Sequence, residues 1–268
     1  MPVSSSIARR RDAASALAVK RFWPFIALGL GAYVAFALVT LPAAIVTSPL
    51  TRFGIIAAGV SGTAWNGRAQ IVQTAGANLG AVTWQLHPLA LFTGRVSADI
   101  DLTRRDGFAK AALSVAFSGR TRFQDLNASL PLATLPRGIV PGGWTGTLNL
   151  RVADLTLEHG WPTNVAGTVE VVDLTRPARQ PVNVGSYKIL FPAPNVTPQQ
   201  GLLVGALTES GGPLQINGQV QLKSDRSYLI EGQIAARPGA PSEVVEGLKY
   251  LGTPDAQGRR PFSLSGTF

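Results

Sequence analysis

The sequence predicts a mainly β protein: a single N-terminal transmembrane helix followed by a curved, mostly antiparallel β-sheet domain with one short helix near residues 242–251. Three observations predict this fold. One long uncharged apolar run lies near the N-terminus, two-residue alternation dominates the sequence after it, and glycine recurs inside the alternating stretches. The chain therefore divides into a basic tail over residues 1–21, an anchor over 22–46 and a β-rich domain over 47–268.

The apolar run has no charged residue between Arg21 and Arg52. A helix rises about 1.5 Å per residue and needs about 20 apolar residues to cross the hydrocarbon core of a bilayer, so this run is long enough. Trp23 lies where an interfacial aromatic residue belongs, and Pro24 is tolerated in a first helical turn. A cleaved signal peptide is the alternative, but its apolar region is typically about 7–15 residues long, which is shorter than this run.

Basic residues are concentrated before the apolar run. The chain has a formal net charge of +9, and residues 1–21 contain five basic side chains and one acidic one. The positive-inside rule therefore places the N-terminus in the cytoplasm and the rest of the chain on the opposite side of the membrane. Further along, basic residues are scattered among acidic ones, unlike the clusters of a nucleic-acid-binding surface, so no nucleic-acid partner is expected.

Directly after the anchor, Ser48 and Pro49 suit the cap and first position of a second small helix through PLTRFGIIAAG, near the membrane surface. From Ala58 onward the dominant period is two. The stretches RVSADIDLT, AKAALSVAF and PLQINGQVQLK each place apolar side chains on one face, as half-buried antiparallel strands do. In GTAWNGR the pattern predicts a strand through Thr63 and Trp65 that turns at the Asn-Gly pair.

Glycine recurs at the inward phase of five strands, in the pentads WTGTL, VAGTV, INGQV, IEGQI and LSGTF. Glycine weakens a strand, so its repeated use indicates strong bending or close packing of backbone, and it predicts a curved sheet with an apolar concave face. Ordinary bulges in a small sandwich are the alternative. The irregular spacing of these glycines argues against a fixed-period solenoid.

Two late stretches depart from the alternation. APSEVVEGLKYLG predicts a helix that is capped by Ser242 and ends at Gly252, because its apolar residues recur three and four positions apart. The region 176–201 is rich in proline, which predicts an irregular connection or a sheet edge.

Candidates for catalysis are few. His87 lies at a strand end and His159 in the turn LEHGW, neither has a second histidine at metal-ligand spacing, and no G-x-S-x-G elbow occurs. Asp99 and Asp101 lie on the polar face of one strand, as solvated carboxylates usually do. The chain has no cysteine, so no thiolate metal site can form. We expect no catalytic residue, cofactor or metal; a hydrolase that uses one of the two histidines is a weak alternative.

A family resemblance is carried by five stretches that occur in order: LPAAIV, VSGTAWNGRA, WQLHPLALFTGRV, GGWTGTLNL and LKYLGTPDAQGRRPFSLSGTF. Over about residues 41–268 the chain resembles the protein N family of the bacterial type II secretion system, also called general secretion pathway protein N or GspN. The residues that match the motifs of this family are candidate structural residues rather than catalytic ones. They are Gly62, Thr63, Trp65, Gly67, Trp84, Pro88, Leu89, Gly142, Gly143, Leu148, Asp255, Gly258, Phe262 and Gly266.

The resemblance implies a non-enzymatic accessory component of the secretion machinery that exports folded proteins across the outer membrane. It implies a single-pass protein of the bacterial inner membrane with a cytoplasmic N-terminus, a periplasmic C-terminal domain, and other type II secretion components as partners. A second function stays open from the residues alone: the concave apolar face would bind or transfer lipid, as is thought of envelope proteins resembling AsmA.

Overall fold

The structure, a computed structural model, describes most of the chain: residues 25–74, 77–135, 143–178, 180–194, 196–197 and 199–267. The predicted basic tail and the first three residues of the predicted anchor lie outside these ranges.

The described residues form three α-helices, three 3-10 segments and fourteen strands. The α-helices are α1 over residues 25–39, α2 Ala44–Thr47 and α3 Ser242–Leu248, and the 3-10 segments are Ser48–Phe53, Pro88–Thr93 and Leu132–Thr134. The strands are β1 Ile55–Ala58, β2 Ser61–Gly62, β3 Asn66–Thr74, β4 Ala77–Leu86, β5 Arg95–Thr103, β6 Phe108–Ala116, β7 Thr121–Pro131, β8 Thr145–Glu158, β9 Trp161–Arg176, β10 Val182–Phe191, β11 Leu202–Gly211, β12 Leu214–Lys223, β13 Ser227–Ala236 and β14 Arg260–Thr267.

Helix α1 is apolar and exposed along its whole length, and it ends earlier than predicted. The predicted anchor continued to residue 46, but the helix stops at residue 39 and Pro42 forms a bridge with Thr63 instead. The cause is Pro42, which cannot donate a backbone hydrogen bond and disfavours the helical conformation at Leu41. Within the described residues, no helix has both the length and the apolar character needed to cross a membrane.

The second predicted helix is present in part. A 3-10 segment starts at Ser48 with proline in its first turn, but its cap residue is Thr47 and it stops at Gly54, whose φ of 73° is the left-handed conformation typical of a helix end. The predicted continuation through IIAAG is wrong, because Ile55 and Ile56 pair with Thr74 and Gln73 as the strand β1. Two consecutive β-branched residues favour that extended conformation.

All strands belong to one antiparallel sheet, as predicted. Its order is β1-β3-β4 and then every later strand in sequence order to β14, while the short β2 also pairs with β3. The two edge strands are therefore β1 and β14. The strands β3, β5 and the later odd-numbered strands all begin at the same end of the sheet. The C-terminus of α1 contacts this end, so we call it the α1 end, and we call the opposite end the distal end.

Contacts across several strands show how the sheet bends. At the α1 end, an Nη2 of Arg226 in the β12–β13 turn donates to the carbonyl of His159 in the β8–β9 turn at 3.1 Å, although β10 and β11 lie between these hairpins. On the same side, Phe191, Leu207 and Val220 form a buried cluster to which Val165 of β9 also packs. An apolar concave face thus exists between β9 and β14, and its side chains pack on one another.

The pentad glycines lie where neighbouring backbones approach closely. Gly218 and Gly232 are direct partners across β12 and β13. A Cβ atom added at Gly232 would lie 2.5 Å from the Cα of Gly218 and would also meet the carbonyl oxygen of Asn217. At Gly266 a Cβ would lie 2.6 Å from the Tyr228 hydroxyl, because the tyrosine ring covers that glycine. Close packing, one of the two predicted reasons for these glycines, accounts for both sites.

Helix α3 confirms the helix predicted near residues 242–251, with shorter bounds. Its cap residue is Pro241 rather than Ser242, and it ends at Leu248. Val244 is buried, and it packs with Val182, Leu214 and Ile234 from three strands of the sheet. The helix therefore covers one end of the apolar face at the distal end of the sheet.

The prediction for the proline-rich region 176–201 is wrong over residues 182–191. These residues form β10, an interior strand that pairs with β9 and β11. The prolines lie before and after the strand, at positions such as Pro181 and Pro192, so no ladder hydrogen bond is lost.

Candidate functional site

The first family motif forms a tight turn rather than a strand. The backbone N–H of Thr63 donates to the carbonyl of Asn66 at 2.9 Å, and the N–H of Asn66 donates to the Thr63 hydroxyl at 3.1 Å. The two turn residues are therefore Ala64 and Trp65, and the predicted turn at Asn66–Gly67 is wrong. The hydroxyl of Thr63 closes the loop one step earlier, and Asn66 and Gly67 begin β3.

This turn contacts the C-terminus of α1. The indole Nε1 of Trp65 donates to the carbonyl of Leu38 at 2.7 Å, and the N–H of Ala64 donates to the carbonyl of Leu41 at 2.7 Å. The last carbonyls of a helix have no i+4 donor within the helix. The turn supplies donors to Leu38, whose carbonyl also accepts from the Leu41 N–H at 3.4 Å, and to Leu41, which lies just after the helix. We call this region the junction; it consists of residues 38–43, residues 62–67, Trp84 and Leu86.

The second motif completes the junction. Trp84 lies opposite Gly67 on the neighbouring strand, and its Nε1 donates to the carbonyl of Ala64 at 3.0 Å. A Cβ added at Gly67 would lie 2.7 Å from the Cε2 atom of Trp84, so the indole ring occupies the space that a larger residue would need. The structure thus brings together two motifs that lie about twenty residues apart in the sequence.

The interior of the junction is tightly packed with small side chains. Ala43 and Ala64 are only 2% and 3% exposed, and Ala69 next to them on β3 is 1% exposed. The N–H of Ala43 donates to the carbonyl of Gly62 at 3.2 Å, and the N–H of Leu86 donates to the carbonyl of Trp65 at 2.6 Å. The turn is therefore held from both α1 and β4, which makes it a rigid connection between helix and sheet.

Pro88 and Leu89, the rest of the second motif, follow β4 at the same end of the sheet. They begin the 3-10 segment Pro88–Thr93, in which Pro88 occupies the first turn and Gly94 ends the segment. Leu89 is 77% exposed, so it has no packing role in the described residues.

The third motif lies elsewhere. Gly142 is outside the described residues, and Gly143 lies at the distal end beside Pro177. Leu148 is part of β8, where it pairs with Leu130 and Val171. The structure therefore does not join these residues to the junction.

The last motif forms a compact loop before the edge strand β14. The carboxylate of Asp255 accepts hydrogen bonds from the N–H groups of Gln257 and Arg259 at 2.9 and 2.8 Å, and from the guanidinium of Arg259 at 2.9 Å. Burial acts to raise the pKa of Asp255, but these hydrogen bonds and the positive charge outweigh it and hold the pKa below its usual value. Gly258 has a φ of 75°, so the loop needs glycine at that position.

Phe262 and Gly266 lie on β14 itself. Phe262 packs against both hydrophobic clusters, and Gly266 lies under the ring of Tyr228. The loop at Asp255 and these two residues fix β14 at the edge of the sheet.

The two histidines form no reactive arrangement with each other. The Nε2 of His87 lies 3.0 Å from Asp99 in an exposed pair, and His159 occupies a turn in a different hairpin. Asp101 forms an ion pair with Lys110 at 2.8 Å, so both carboxylates that were predicted to be solvated have a side-chain partner on the polar face. In the part of the chain that the structure describes, no group of three or more acidic or histidine side chains could hold a metal ion.

Sequence reasoning missed the backbone partners of the junction. The carbonyls of Leu38 and Leu41 accept its hydrogen bonds, and a carbonyl group carries no sequence signature. It also missed a polar cluster beside the apolar face, formed by the partly buried Tyr187 and Glu209 and the exposed Arg237. The Tyr187 hydroxyl donates to the carbonyl of Val184, and Glu209 accepts from the Ile216 N–H and the Arg237 guanidinium at 3.0 and 2.9 Å.

The surroundings of Tyr187 predict how the stability of the fold depends on pH. Burial, together with the negative charge of Glu209, raises the pKa of Tyr187 to about 12. The pKa is higher in the folded chain than in the unfolded one, so the contribution of Tyr187 to stability is fully present below about pH 10 and is lost as the pH rises towards 12. We expect an absorbance titration of the tyrosines to show a late step that Tyr187→Phe removes and Tyr250→Phe, at a 93% exposed position, leaves in place. A late step that survives Tyr187→Phe would contradict the assignment.

A second prediction concerns the contribution of the junction to the free energy of unfolding. Trp65→Phe removes the indole donor to Leu38 but keeps an aromatic ring, and we expect the free energy of unfolding to fall by about 1 kcal/mol, the net value of one hydrogen bond. Chemical denaturation of the full chain in detergent measures it. The control is Trp144→Phe, because the Trp144 indole makes no hydrogen bond within the described residues. Equal loss in both variants would show that the bond contributes nothing.

The described residues thus define the class of protein by its architecture. It is an antiparallel β-sheet protein in which strands that follow one another in sequence pair, and one end of the sheet is hydrogen-bonded to the end of an apolar helix. Comparison with known proteins names the family. Residues 54–263 match the family model of type II secretion system (T2SS) protein N. The chain belongs to this family, which confirms the resemblance seen in the sequence, and it is a component of the type II secretion system.

Known relatives match the chain along almost their whole lengths. The chain is 29% identical to type II secretion system protein N of Aeromonas hydrophila over 249 residues, which cover 90% of this chain and 96% of the relative. It is 27% identical to the protein of that name from Vibrio cholerae serotype O1, covering 85% and 91%, and 25% identical to that from Pectobacterium carotovorum subsp. carotovorum, covering 88% and 93%. No solved structure matches the chain significantly. The family is associated with the cell envelope and is not known for an enzymatic activity, and membership implies contact with other components of the system.

Proposed function

We propose that this chain is a non-enzymatic accessory component of the type II secretion system. It is anchored in the inner membrane by the N-terminal apolar segment, and it presents its sheet to the machinery that exports folded proteins across the outer membrane. The observation that carries the proposal is the junction, in which Trp65 and Ala64 bond the sheet to the end of the apolar helix α1. A rigid connection of this kind suits a component that holds a binding surface at a set position above a membrane.

Several features support the membrane arrangement. The segment from residue 22 to residue 51 has no charge, and the described side chains of α1 are exposed and largely apolar, among them Phe25, Leu28 and Phe36 at 68%, 71% and 67%. Such a helix has no partner in the sheet that would cover it, and a bilayer would do so. The basic tail over residues 1–21 then lies in the cytoplasm and the domain over 47–268 in the periplasm.

The proposed contact with other secretion components uses the edges of the sheet. Strand β14 pairs with β13 on one side, and no other described strand pairs with it. An edge strand of this kind presents unpaired N–H and C=O groups with which a strand of another protein can pair. Leu264 on β14 is 56% exposed, so a partner strand would also find an apolar side chain to cover.

Lipid transfer, the second function that the sequence left open, gains no support. It depended on free space along a concave apolar face. Phe191, Leu207 and Val220 of that face are 5–9% exposed because they pack on one another.

The proposal is tested by deleting the gene and measuring export of folded enzymes to the medium. We expect export to fall in the deletion strain and to return with the wild-type chain or with Trp144→Phe, but not with Trp65→Ala combined with Trp84→Ala, provided that the protein levels match. Unchanged export in the deletion strain, where no second copy of the gene replaces it, would contradict the proposal.

The edge is tested separately by crosslinking in intact cells. A photo-reactive residue at position 264, which is 56% exposed, should capture a component of the secretion machinery, whereas the same residue at position 105, which is exposed in the turn between β5 and β6, should not. Equal capture at both positions would show that β14 is not the contact.

A further inference from the structure

A cluster of exposed apolar residues lies beside the junction. Leu89, Leu91 and Phe92 of the 3-10 segment are 77%, 42% and 89% exposed, and Phe117 in the β6–β7 turn is 75% exposed. The N–H of Phe117 donates to the carbonyl of Gly94 at 3.2 Å, so the segment and the turn are held next to each other. We call these four residues the apolar patch. Two large aromatic rings at more than 70% exposure on adjacent loops form an apolar surface that a soluble protein seldom leaves in water.

The patch lies at the end of the sheet where α1 ends. The 3-10 segment begins two residues after Leu86, whose N–H donates to the carbonyl of Trp65, and Trp65 in turn donates to Leu38 of α1. Two hydrogen bonds therefore connect the patch to the last turn of the helix. The patch and the helix terminus therefore lie at the same end of the sheet.

One basic residue without an ion pair in the described part of the chain borders the patch. Arg95 directly follows Gly94, is exposed, and forms no ion pair within the described residues. Its cross-strand partner is Ala116, the residue before Phe117, so the free positive charge lies at the border of the patch. Apolar and aromatic residues bordered by arginine are typical of surfaces that lie in the interface of a membrane with anionic lipids.

We propose that the apolar patch inserts into the interfacial layer of the phospholipid bilayer in which α1 is anchored. This inference rests on the proposed function, because it needs α1 in the membrane. The aromatic rings of Phe92 and Phe117 enter the boundary between headgroups and acyl chains, and Arg95 meets lipid phosphates. The sheet is then attached at two places, the helix and the patch, and the second attachment restricts the tilt and rotation in the bilayer that a single helix rigidly joined to the sheet would retain.

The experiment uses the full chain in vesicles and exploits the absence of cysteine from the sequence. Single-cysteine variants Phe92→Cys and Phe117→Cys are labelled with an environment-sensitive fluorophore, and both positions are too exposed for the substitution to disturb packing. The vesicles contain phosphatidylcholine and phosphatidylglycerol, with the phosphatidylcholine brominated either near the headgroup or near the end of the acyl chain. Ala32→Cys in α1 reports on the anchor.

The controls match the exposure of the patch or its strand. Tyr250→Cys is at a 93% exposed aromatic position at the distal end. Arg105→Cys is in the β5–β6 turn, at the other end of the strand that follows the patch, about 30 Å away along nine residues of strand.

We expect the labels at positions 92 and 117 to lose most of their fluorescence with bromine near the headgroup and less with bromine near the chain end. The label at position 32 should show the deeper preference, and those at 105 and 250 should lose none. Quenching at 32 without quenching at 92 and 117 would overturn the inference while the anchor stands; a protein partner would then be the occupant of the patch. Absence of quenching at 32 would overturn the proposed anchor and the inference with it. Equal quenching at 92, 105 and 250 would show non-specific adsorption and would also overturn it.

Discussion

Gly232→Ala is expected to lower the free energy of unfolding by about 3 kcal/mol, at the upper end of the cost of overpacking, because backbone atoms surround the site. The added methyl group would lie 2.5 Å from the Cα of Gly218 and 3.0 Å from the carbonyl carbon of Asn217. A flexible side chain could rotate away from such a contact, but paired strands can move apart only by breaking ladder hydrogen bonds. Urea denaturation of the full chain in detergent measures the effect.

The matched control is Gly247→Ala in α3. A Cβ at Gly247 meets nothing within 4 Å, and alanine favours a helix over glycine by roughly 1 kcal/mol. We therefore expect Gly247→Ala to be neutral or stabilising. If the two variants lose similar stability, the contact between the paired glycines is not the cause.

Gly67→Ala is expected to cost about 2 kcal/mol and to loosen the junction as well. The methyl group would lie 2.7 Å from the Cε2 atom of the Trp84 ring and 2.9 Å from the carbonyl oxygen of Thr63. Since the Trp84 ring is held by its hydrogen bond to Ala64, it cannot move without freeing the turn that contacts α1. Denaturation and protease susceptibility between α1 and β3 are the two measurements.

A double-mutant cycle tests the cause. Trp84→Leu removes the ring that the methyl group meets, so Gly67→Ala should cost less in the Trp84→Leu background than in the wild type. Costs that simply add would show that the carbonyl of Thr63, rather than the indole, limits the space at Gly67.

The alternation of apolar and polar residues in the sequence predicted most of the strands of the sheet. Alternation in PLQINGQVQLK gave the right face for Leu214 and Val220, both buried, because a strand with one covered face leaves that pattern in its own residues. The helix α3 was also predicted from a period, because its apolar residues recur three and four positions apart. The interior strand β10 was missed because its flanking prolines dominate the local composition, although none of them lies inside the strand.

The junction could be predicted only as a set of motif residues. The resemblance marked Thr63, Trp65, Gly67 and Trp84, but their common role depends on where β4 returns beside β3 and on carbonyl groups of α1. Tertiary contacts of this kind leave no periodic pattern. The Asn-Gly pair was misleading for a related reason: the hydroxyl of Thr63 hydrogen-bonds to Asn66 and closes the turn before the pair is reached.

The order of the strands has a consequence for how the chain folds. From β3 to β14 each strand pairs with the one made just before it, so every new strand adds to an existing edge, although the connection between β13 and β14 contains the helix α3. Such local pairing favours fast folding, because the ladder of each strand does not wait for a segment that is distant in the sequence. A domain that emerges from the membrane with its first strands leading, as the proposed topology requires, can build this sheet step by step, with β14 as the last strand to arrive.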